Sequence, residues 1–481
     1  MLDVRPVGYV IGLLLVALGV SMALPMAADL IDGNGHWPAF FEAGMLTGLV
    51  GMSIALACSN AVRNRLSLQQ IFLLTTGVWL ALPIFAALPF VLGETDATYT
   101  DAFFEAMSGL TTTGSTILVG IDDLPRGILL WRGLLQWFGG IGVIVVAMVF
   151  LPELRVGGMQ IFKSEAFDTM GKVLPRAAEI ASRISTVYIA FTVACALSYA
   201  AAGMGAFDAV VHAMTTVSTG GFANYDASFG VFQGAHEYIA TVFMLGAALP
   251  FVLYVQLLNG YATPILRDSQ VRTFLAVVVT LVAATAVTLV LVDDFGFERA
   301  VREALFNIAS ILTGTGFASV DYMEWGAFII TLFFFCGLIG GCAGSTSCSV
   351  KIFRYQILFA ATRAQIQRIH SPHGIFPTRY AGRTVTDDVM SSVMAFFVLF
   401  VVTLGVFAVA LAMTGLDFLT AISGAATAVG NIGPGLGPII GPAGNFAPLN
   451  DTAKWLLAAA MLIGRLELVV VYVLFTSRFW R

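Results

Sequence analysis

The fold is decided by the stretch Leu110-Thr111-Thr112-Thr113-Gly114-Ser115, which follows a short apolar segment between two longer apolar spans. Three related stretches recur further along: Val217-Ser218-Thr219-Gly220-Gly221, Leu312-Thr313-Gly314-Thr315-Gly316-Phe317 and Val429-Gly430-Asn431-Ile432-Gly433-Pro434. The repeat intervals are 106, 96 and 117 residues when these glycines are taken as equivalent: Gly114, Gly220, Gly316 and Gly433. Such intervals leave room for two membrane spans and a short segment between them. The pattern therefore predicts a four-fold pseudo-symmetric pore in one polypeptide.

Composition places the chain in a membrane. Of its 481 residues, 58% are hydrophobic and 11% are charged, whereas soluble domains carry about 25% charged residues. Apolar runs of about 20 residues can cross a bilayer as helices. The sequence predicts ten such spans: Val7–Ala28, Pro38–Ser59, Gln70–Leu92, Gly127–Leu151, Arg183–Gly203, Ala235–Leu258, Thr273–Val292, Trp325–Val350, Val389–Met413 and Ala453–Thr476.

The distribution of charge predicts the orientation of the chain. Lysine and arginine fall in alternate connections between the spans, while acidic residues dominate the opposite connections. By the positive-inside rule, both termini are expected in the cytoplasm. The net charge of −5 mostly reflects the acidic outer loops, so it gives no indication of nucleic-acid binding. The five cysteines contain no CxxC pair and are expected to be buried free thiols.

The predicted fold class is an all-α integral membrane protein with two N-terminal spans and four pseudo-repeated units around a central pore. The two spans occupy residues 1–65, and the units occupy 66–180, 181–268, 269–386 and 387–481. Units one and three each end in a cytoplasmic connection. Each unit is predicted to contain a span, a short pore helix, a glycine signature and a second span. A half-helix of this kind aims its partly negative C-terminal end at the membrane centre, where a cation would sit.

Acidic residues near the start of the pore helices indicate a shared register. Asp101 lies 13 residues before Gly114, and Glu303 lies 13 residues before Gly316. Asp208 lies 12 residues before Gly220. Acidic residues suit a helix N-terminus because of the helix dipole.

The glycine signatures are typical of an ion filter. A dehydrated cation needs several oxygens, which backbone carbonyls supply if the chain is extended around an axis. Glycine adopts the required positive φ without steric cost, and unpaired backbone at membrane depth is tolerated where it lines a cavity. Glycine for helix packing would explain one or two copies but not four in matching positions. The predicted cation ligands are Thr112, Thr113, Gly114, Ser218, Thr219, Gly220, Thr315, Gly316, Asn431, Ile432 and Gly433.

A glycine-rich stretch, Gly340–Ser349, interrupts one predicted span. Broken backbone at membrane depth marks an ion path or a moving part, so this loop could plug the permeation route; close helix packing is the alternative. Arg465 lies deep in the last span and is expected either to contact the loop and repel ions or to form a structural ion pair. Arg132 is expected to be an interfacial anchor near the outer surface. The predicted gating residues are Gly340, Gly341, Gly344, Ser345, Thr346 and Arg465.

Together with the signatures, three further stretches resemble the Trk/Ktr/HKT potassium-transporter superfamily. They are Gly340–Ser349, Gly464-Arg465-Leu466-Glu467 and Trp131-Arg132-Gly133-Leu134-Leu135-Gln136-Trp137-Phe138-Gly139-Gly140. The two extra N-terminal spans and the stretch Asn431-Ile432-Gly433-Pro434-Gly435-Leu436-Gly437 are most similar to bacterial TrkH-type subunits. The resemblance covers essentially the whole chain.

The resemblance implies a potassium-uptake subunit of the bacterial inner membrane, with potassium as its transported ligand and no covalent cofactor. It implies a homodimer with a pore in each protomer, and gating by a cytosolic ring of nucleotide-binding TrkA-type subunits. Relatives with serine at the first filter glycine tend toward sodium, so Gly114 favours potassium. Relatives often continue the intramembrane loop with glycines, whereas this chain has Ser347-Cys348-Ser349, which would stiffen it.

Other functions stay open at this point. A proton- or sodium-coupled symporter would need an intramembrane relay group, for which Glu467, Glu105 and His212 are the nearest candidates. A sodium-conducting relative is a further alternative. A membrane enzyme is disfavoured because Asp122-Asp123 and Asp387-Asp388 form no DxxxD or DDxxD array and no HExxH motif occurs. A scaffold would not need four aligned glycine signatures.

Overall fold

The computed structural model describes residues 3–61, 66–147, 154, 157–159, 161 and 177–480. The end of the predicted span Gly127–Leu151 and most of the first cytoplasmic connection lie outside these residues. The described helices are α1 (Arg5–Ser21), α2 (Ala23–Asp32), α3 (Trp37–Cys58), α4 (Leu68–Ala86), α5 (Leu88–Leu92), α6 (Tyr99–Leu110), α7 (Arg126–Val145), α8 (Ala177–Ala201), α9 (Ala206–Val217), α10 (Ala235–Ala247), α11 (Phe251–Leu258), α12 (Thr263–Arg267), α13 (Ser269–Leu291), α14 (Phe297–Thr313), α15 (Gly326–Ile339), α16 (Ile352–His370), α17 (Asp387–Met413), α18 (Phe418–Gly430), α19 (Asp451–Arg465) and α20 (Val469–Leu474).

Helices dominate the described part of the chain. Short 3₁₀ turns also occur at Ser59–Ala61, Ile121–Asp123, Ser228–Val231 and Tyr322–Trp325. A two-residue antiparallel pair, β1 (Arg379–Tyr380) and β2 (Arg383–Thr384), follows α16 and aligns Arg379 with Thr384. All five cysteines are free, and four of them are buried. The predictions of an all-α membrane protein and of free thiols are therefore confirmed.

Eight helices in the described part of the chain are long and apolar enough to cross a membrane, and a bent pair makes a ninth span. The bent pair is α10 and α11, which meet at 92°. The predicted span Ala235–Leu258 therefore consists of two helices with a bend between them. Pro250 lies at the break, where it lacks the N–H needed to continue a helix.

Two other predicted spans are also interrupted. The span Trp325–Val350 stops being helical at Ile339, because Gly340 adopts φ 77° and ends α15. The span Ala453–Thr476 divides into α19 and α20, with Glu467 and Leu468 at φ 60° and 53° between them. Both breaks lie beside the Gly340–Ser349 loop.

The two N-terminal spans pack through glycines. A Cβ atom on Gly12 of α1 would lie 2.6 Å from the Ala55 nitrogen of α3. In the same way, a Cβ atom on Gly51 would lie 2.7 Å from the Gly12 oxygen. Small residues allow membrane helices to approach at backbone distance, where van der Waals contacts stabilise the pair.

Asp29, at the end of α2, fixes the first span to the start of α7. Its side chain is fully buried, and its carboxylate accepts hydrogen bonds from Gly127 N at 2.7 Å and Asn34 Nδ2 at 2.8 Å. The same carboxylate lies 2.8 Å from His36 Nδ1. The α7 N-terminus is thereby capped by a residue almost a hundred positions earlier in the chain.

We expect Asp29→Ala to lower the free energy of unfolding by about 2–3 kcal/mol, because it leaves buried donors without an acceptor. Asp32→Ala is the matched control: Asp32 pairs with Arg126, which is more than half exposed, so the loss should be about 0–1 kcal/mol. Unfolding of detergent-solubilised protein measures both. Equal losses for the two variants would contradict the assigned role of Asp29.

Candidate functional site

Four short helices, α6, α9, α14 and α18, end in the middle of the molecule, and each is followed by a non-helical segment. The segments leave their helices in the same way. Thr113 N donates to Ser108 O at 2.8 Å, five residues back. The same five-residue bond joins Gly220 N to Thr215 O and Ile432 N to Thr427 O, each at 2.9 Å. The hydrogen bonds therefore define a common register.

This register corrects the alignment of the second signature by one residue. Gly221 N reaches Thr215 O at 3.4 Å, as Gly316 N reaches Ser310 O at 3.3 Å, six residues back in both cases. Gly221 also has a positive φ of 77°, like Gly316 at 83° and Gly114 at 87°. Gly220 does not. The counterpart of Gly114 is therefore Gly221, and Gly220 is the counterpart of Thr113, Thr315 and Ile432.

The sequence contained a signal for this register. Asp208 lies 13 residues before Gly221, the same interval that separates Asp101 from Gly114. In addition, a phenylalanine follows Gly221 as one follows Gly316. The adjacent pair Gly220-Gly221 made the choice ambiguous when only the spacing of glycines was compared.

Each segment begins with a residue in left-handed backbone conformation. These residues are Thr112 (φ 49°), Thr219 (φ 51°), Gly314 (φ 79°) and Asn431 (φ 52°). Three of the four are not glycine, and such a conformation costs about 1–3 kcal/mol for each residue. Strain of this kind persists where the surrounding structure determines the backbone, and it is concentrated at functional sites.

The four segments close a ring in chain order. A Cβ atom on Gly114 would overlap the carbonyl oxygen of Gly220, and one on Gly221 would overlap that of Thr315. A Cβ atom on Gly316 would lie 2.6 Å from Gly433 N, and one on Gly433 would lie 3.1 Å from Gly114 O. Each signature thus touches the next one, and the fourth touches the first.

A cavity of about 280 Å³ opens on one side of this ring. Gly114, Gly221, Gly316 and Gly433 all line it, together with residues that follow the segments. The predicted ligands are buried, except Gly114, which is half-buried at the floor of the cavity. The structure therefore brings one glycine of each signature to the same cavity.

Side-chain hydroxyls and an amide link the segments to one another. Ser115 Oγ donates to Gly433 O at 2.7 Å, and Asn431 Nδ2 donates to Thr113 Oγ1 at 3.0 Å. Thr112 Oγ1 and Asn431 Oδ1 are buried and have no hydrogen-bond partner among the described residues. In the described part of the chain, no donor reaches either of these two oxygens.

The Gly340–Ser349 loop lies at the opposite end of the ring from the cavity. Ser349 Oγ lies 3.2 Å from Gly430 O, at the C-terminal end of α18. The loop also binds the break between α10 and α11. Cys342 N donates to Ala248 O at 3.0 Å, and Phe251 N donates to Gly344 O at 2.9 Å. The backbone N–H and C=O groups at the break between α10 and α11 therefore form hydrogen bonds with those of the loop after α15.

Arg465 holds the loop from the side. Its guanidinium is buried, contacts Cys348 Sγ, and donates to Thr346 O at 3.4 Å and to Gly139 O at 3.3 Å. Glu467 is not its partner; Glu467 pairs with Arg354 and, at 3.2 Å, with Lys351 Nζ. A cavity of about 20 Å³ lies between the loop, α7 and Arg465, which is room for about one water molecule.

A sequence model of the TrkH family, described as cation transport protein, matches residues 36–481. The chain belongs to the TrkH family. It is 44% identical over 480 residues to the Trk system potassium uptake protein TrkI of Halomonas elongata, covering 99% of this chain and 97% of that protein. It is 36% identical to TrkH of Escherichia coli K12, covering 99% of both chains. The crystal structure of the potassium transporter TrkH from Vibrio parahaemolyticus matches with a TM-score of 0.90 and 33% identity over the full length of both chains.

In this TrkH family member, Arg132 is not the interfacial anchor that the sequence predicted. Its side chain is buried, and Arg132 Nε lies 2.8 Å from Glu105 Oε1. Arg132 also donates to Ala223 O at 2.6 Å and lies 4.2 Å from the centre of the Phe222 ring. Glu105 in turn accepts from Ile117 N at 3.0 Å. Position near the end of a span could not reveal a partner 27 residues away in sequence.

The three candidate relay groups have different environments. Glu105 and Glu467 are both held in buried ion pairs. His212 is buried in α9, its Nδ1 lies 2.9 Å from Asp208 O, and its Nε2 has no partner among the described residues. His212 is thus the one of the three that lies outside an ion pair in the described structure.

Asp208, near the start of α9, is held by residues that follow the second segment. It accepts from Asn224 Nδ2 at 2.8 Å and from Tyr225 Oη at 2.9 Å. Burial, followed by the hydrogen bond to Asp208, raises the pKa of Tyr225 to about 12. The tyrosine therefore stays a neutral donor at neutral pH, and it ties the two ends of this pore-helix unit together.

We expect Arg132→Met to destabilise the folded protein by about 3–5 kcal/mol, because it leaves Glu105 as an unpaired buried charge. The matched control is Arg126→Met: Arg126 pairs with Asp32 at 2.8 Å, but both side chains reach solvent, with 56% and 23% exposed, so the loss should be about 0–1 kcal/mol. Thermal unfolding in detergent compares the two. Similar small losses would show that the Arg132–Glu105 pair does not brace the site.

Proposed function

We propose that this chain forms the potassium-uptake pore of a Trk system, and that its selectivity filter is the ring of four non-helical segments. The observation that supports this proposal is the ring of non-helical backbone. It consists of irregular backbone buried at the centre of a membrane protein, which is tolerated where it lines an ion path. The relatives named as potassium uptake proteins support potassium as the transported ion; they are named as transport proteins, not as enzymes.

The filter works by replacing the water shell of the ion with protein oxygens. The C-terminal ends of four short helices point toward the ring, and their partial negative charge favours a cation. The proposed oxygens come from the predicted residues of the four signatures, Gly220 included, and from Gly221, which the hydrogen-bond register aligns with Gly114, Gly316 and Gly433. Thr112 Oγ1 and Asn431 Oδ1, which have no donor within the described ranges, are additional candidates.

There are two alternatives to a potassium pore: a pore that conducts sodium, and a transporter that couples potassium uptake to protons or sodium. A sodium-conducting pore is disfavoured by Gly114, since the resemblance associates serine at this position with sodium. Symport with protons or sodium would need a group that changes its charge within the membrane. Of the three candidates, His212 is the one whose unpartnered nitrogen supports this second reading, although it lies on α9 and not in the ring.

Gating is proposed to depend on the Gly340–Ser349 loop. The loop contacts the C-terminal end of α18 through Ser349, and the space between the loop, α7 and Arg465 holds about one water molecule. Both observations support a closed gate. Arg465 adds a positive charge at the same point and fixes the loop through Thr346 O. The proposed gating residues are those predicted from the sequence: Gly340, Gly341, Gly344, Ser345, Thr346 and Arg465.

The assembly is proposed to be a homodimer in the bacterial inner membrane, with both termini in the cytoplasm and a pore in each protomer. Each protomer would consist of the two N-terminal spans and the four units predicted from the sequence. A TrkA-type ring would bind the cytosolic side. Helix α16 continues from the gating loop and exposes Ile366, Ile369 and Arg368, so it offers a direct connection between such a ring and the gate.

We expect Gly114→Ser to lower the permeability ratio of potassium to sodium about ten-fold, because the added side chain would overlap the Gly220 carbonyl and displace it. A ten-fold change corresponds to about 1.4 kcal/mol. Fluxes of potassium, rubidium, sodium and lithium into liposomes measure the ratio. Gly120→Ser is the control, because Gly120 also has a positive φ of 68° but open space around it. An unchanged ratio in Gly114→Ser would refute the assigned filter.

We expect deletion of Gly344, Ser345 and Thr346 to raise basal potassium flux in the absence of a partner. The deletion removes the bonds to Phe251 N and to Ala247 O that hold the loop under the ring. Deletion of Pro372, His373 and Gly374, in an exposed turn after α16, is the control of equal length. Flux that stays at the control level in a folded loop-deletion variant would remove the gate assignment.

A further inference from the structure

The second filter segment lacks a side chain that the other three segments have. The common hydrogen-bond register aligns Gly220 with Thr113, Thr315 and Ile432. In the first and third segments this residue is a threonine whose hydroxyl bonds another threonine hydroxyl two residues earlier, at 2.7 Å in both cases. The second segment has Ser218 at that earlier position but only a hydrogen atom at residue 220.

Gln136, on α7, fills the space that this missing side chain leaves. A Cβ atom on Gly220 would overlap the Cδ and Oε1 atoms of Gln136 and would lie 2.8 Å from its Nε2. Gln136 is fully buried. The side chain thus occupies, from a different helix, the volume that a residue-220 side chain would take.

The amide of Gln136 binds the segment at two points. Gln136 Nε2 donates to Gly220 O at 2.6 Å, and Gln136 Oε1 accepts from Phe222 N at 3.0 Å. The Gly220 carbonyl needs the NH₂ group of the Gln136 amide, and the Phe222 N–H needs its oxygen. The two bonds together therefore fix the orientation of the amide. One turn earlier on α7, Arg132 holds Ala223 O. Helix α7 therefore binds this segment along residues 220–223.

The other three segments are braced by different residues. Ser310 Oγ, on α14, donates to Phe317 O at 2.7 Å within the third segment. The first and fourth segments bind each other through Ser115 and Asn431. A carbonyl of the second segment is instead held by a side-chain amide from α7. Selectivity depends on the number and field strength of carbonyl dipoles around the ion. By binding Gly220 O, Gln136 affects the direction of one such carbonyl dipole.

We propose that Gln136 is a positioning residue of the filter: it fixes the direction of the Gly220 carbonyl and thereby contributes to the discrimination between potassium and sodium. The inference rests on the proposed potassium pore. Without the amide, the Gly220 peptide loses its donor and the space beside it opens, so the peptide can rotate. The ring then offers the ion a different set of oxygens.

The first test is Gln136→Met, which keeps the length of the side chain and removes both hydrogen bonds. We expect the potassium-to-sodium permeability ratio in liposomes to fall at least five-fold. The size-exclusion profile should stay that of a folded protein, and the melting temperature should fall, as in the control, because Gly220 O and Phe222 N lose their partner. Gln70→Met is the control. Gln70 is another buried glutamine whose side chain donates to a backbone oxygen, but it lies away from the ring, so its loss should affect stability and not the ratio.

The second test changes Gln136 and Gly220 separately and together, because the side chain of one fills the space left by the other. Gly220→Thr alone should lose selectivity because its side chain meets Gln136, and Gln136→Ala alone should lose it because the donor is gone. The double variant Gln136→Ala/Gly220→Thr should recover selectivity, since a threonine at 220 can bond Ser218 as the first and third segments do. The φ of Gly220 is not in the left-handed region, so the backbone accepts the substitution.

The outcomes separate this inference from the proposed function. A wild-type protein without potassium-selective flux would refute the proposed function itself. A selective wild type together with an unchanged ratio in Gln136→Met would overturn the role of Gln136. If Gln136→Met does not fold, the double variant decides: recovery of selectivity supports the role, and no recovery overturns it.

Discussion

Every polar backbone group inside a bilayer needs a partner, and this one constraint organises the molecule. Helices meet the constraint alone, whereas a non-helical segment must bind another part of the protein or face an ion path. This chain places four such segments at its centre, where they contact one another in a ring. The surrounding helices, the glycines that let them approach and the buried ion pairs can be understood as means of holding these segments.

The means differ from one segment to the next, so the ring is only pseudo-symmetric. The first and fourth segments share hydrogen bonds, whereas the second is held by two side chains of α7. Beneath the ring, the loop and the break in the last span concentrate strained residues: Ser349, Lys351, Glu467 and Leu468 all have positive φ. A buried ion pair joins Lys351 to Glu467, so the strained backbone on both sides is tied together where movement is proposed.

Much of this arrangement could be predicted from sequence, because it depends on local pattern. Apolar length indicated the membrane helices, and repeated glycines after short segments indicated the ring. Features set by distant contacts were missed. Nothing in the spacing joins Arg132 to Glu105, and Gly220-Gly221 offered two registers. Pro250 did signal the bend in its span, but the break after Arg465 lies at Glu467 and Leu468, which are neither glycine nor proline, so tertiary contacts determine it.

If the ring binds a dehydrated monovalent cation, a bound ion can be located inside it. Crystals grown with rubidium in place of potassium would show the ion by its anomalous scattering. We expect rubidium on the axis enclosed by the backbone around Gly114, Gly221, Gly316 and Gly433. Rubidium bound elsewhere in the protein, with none on that axis, would contradict it.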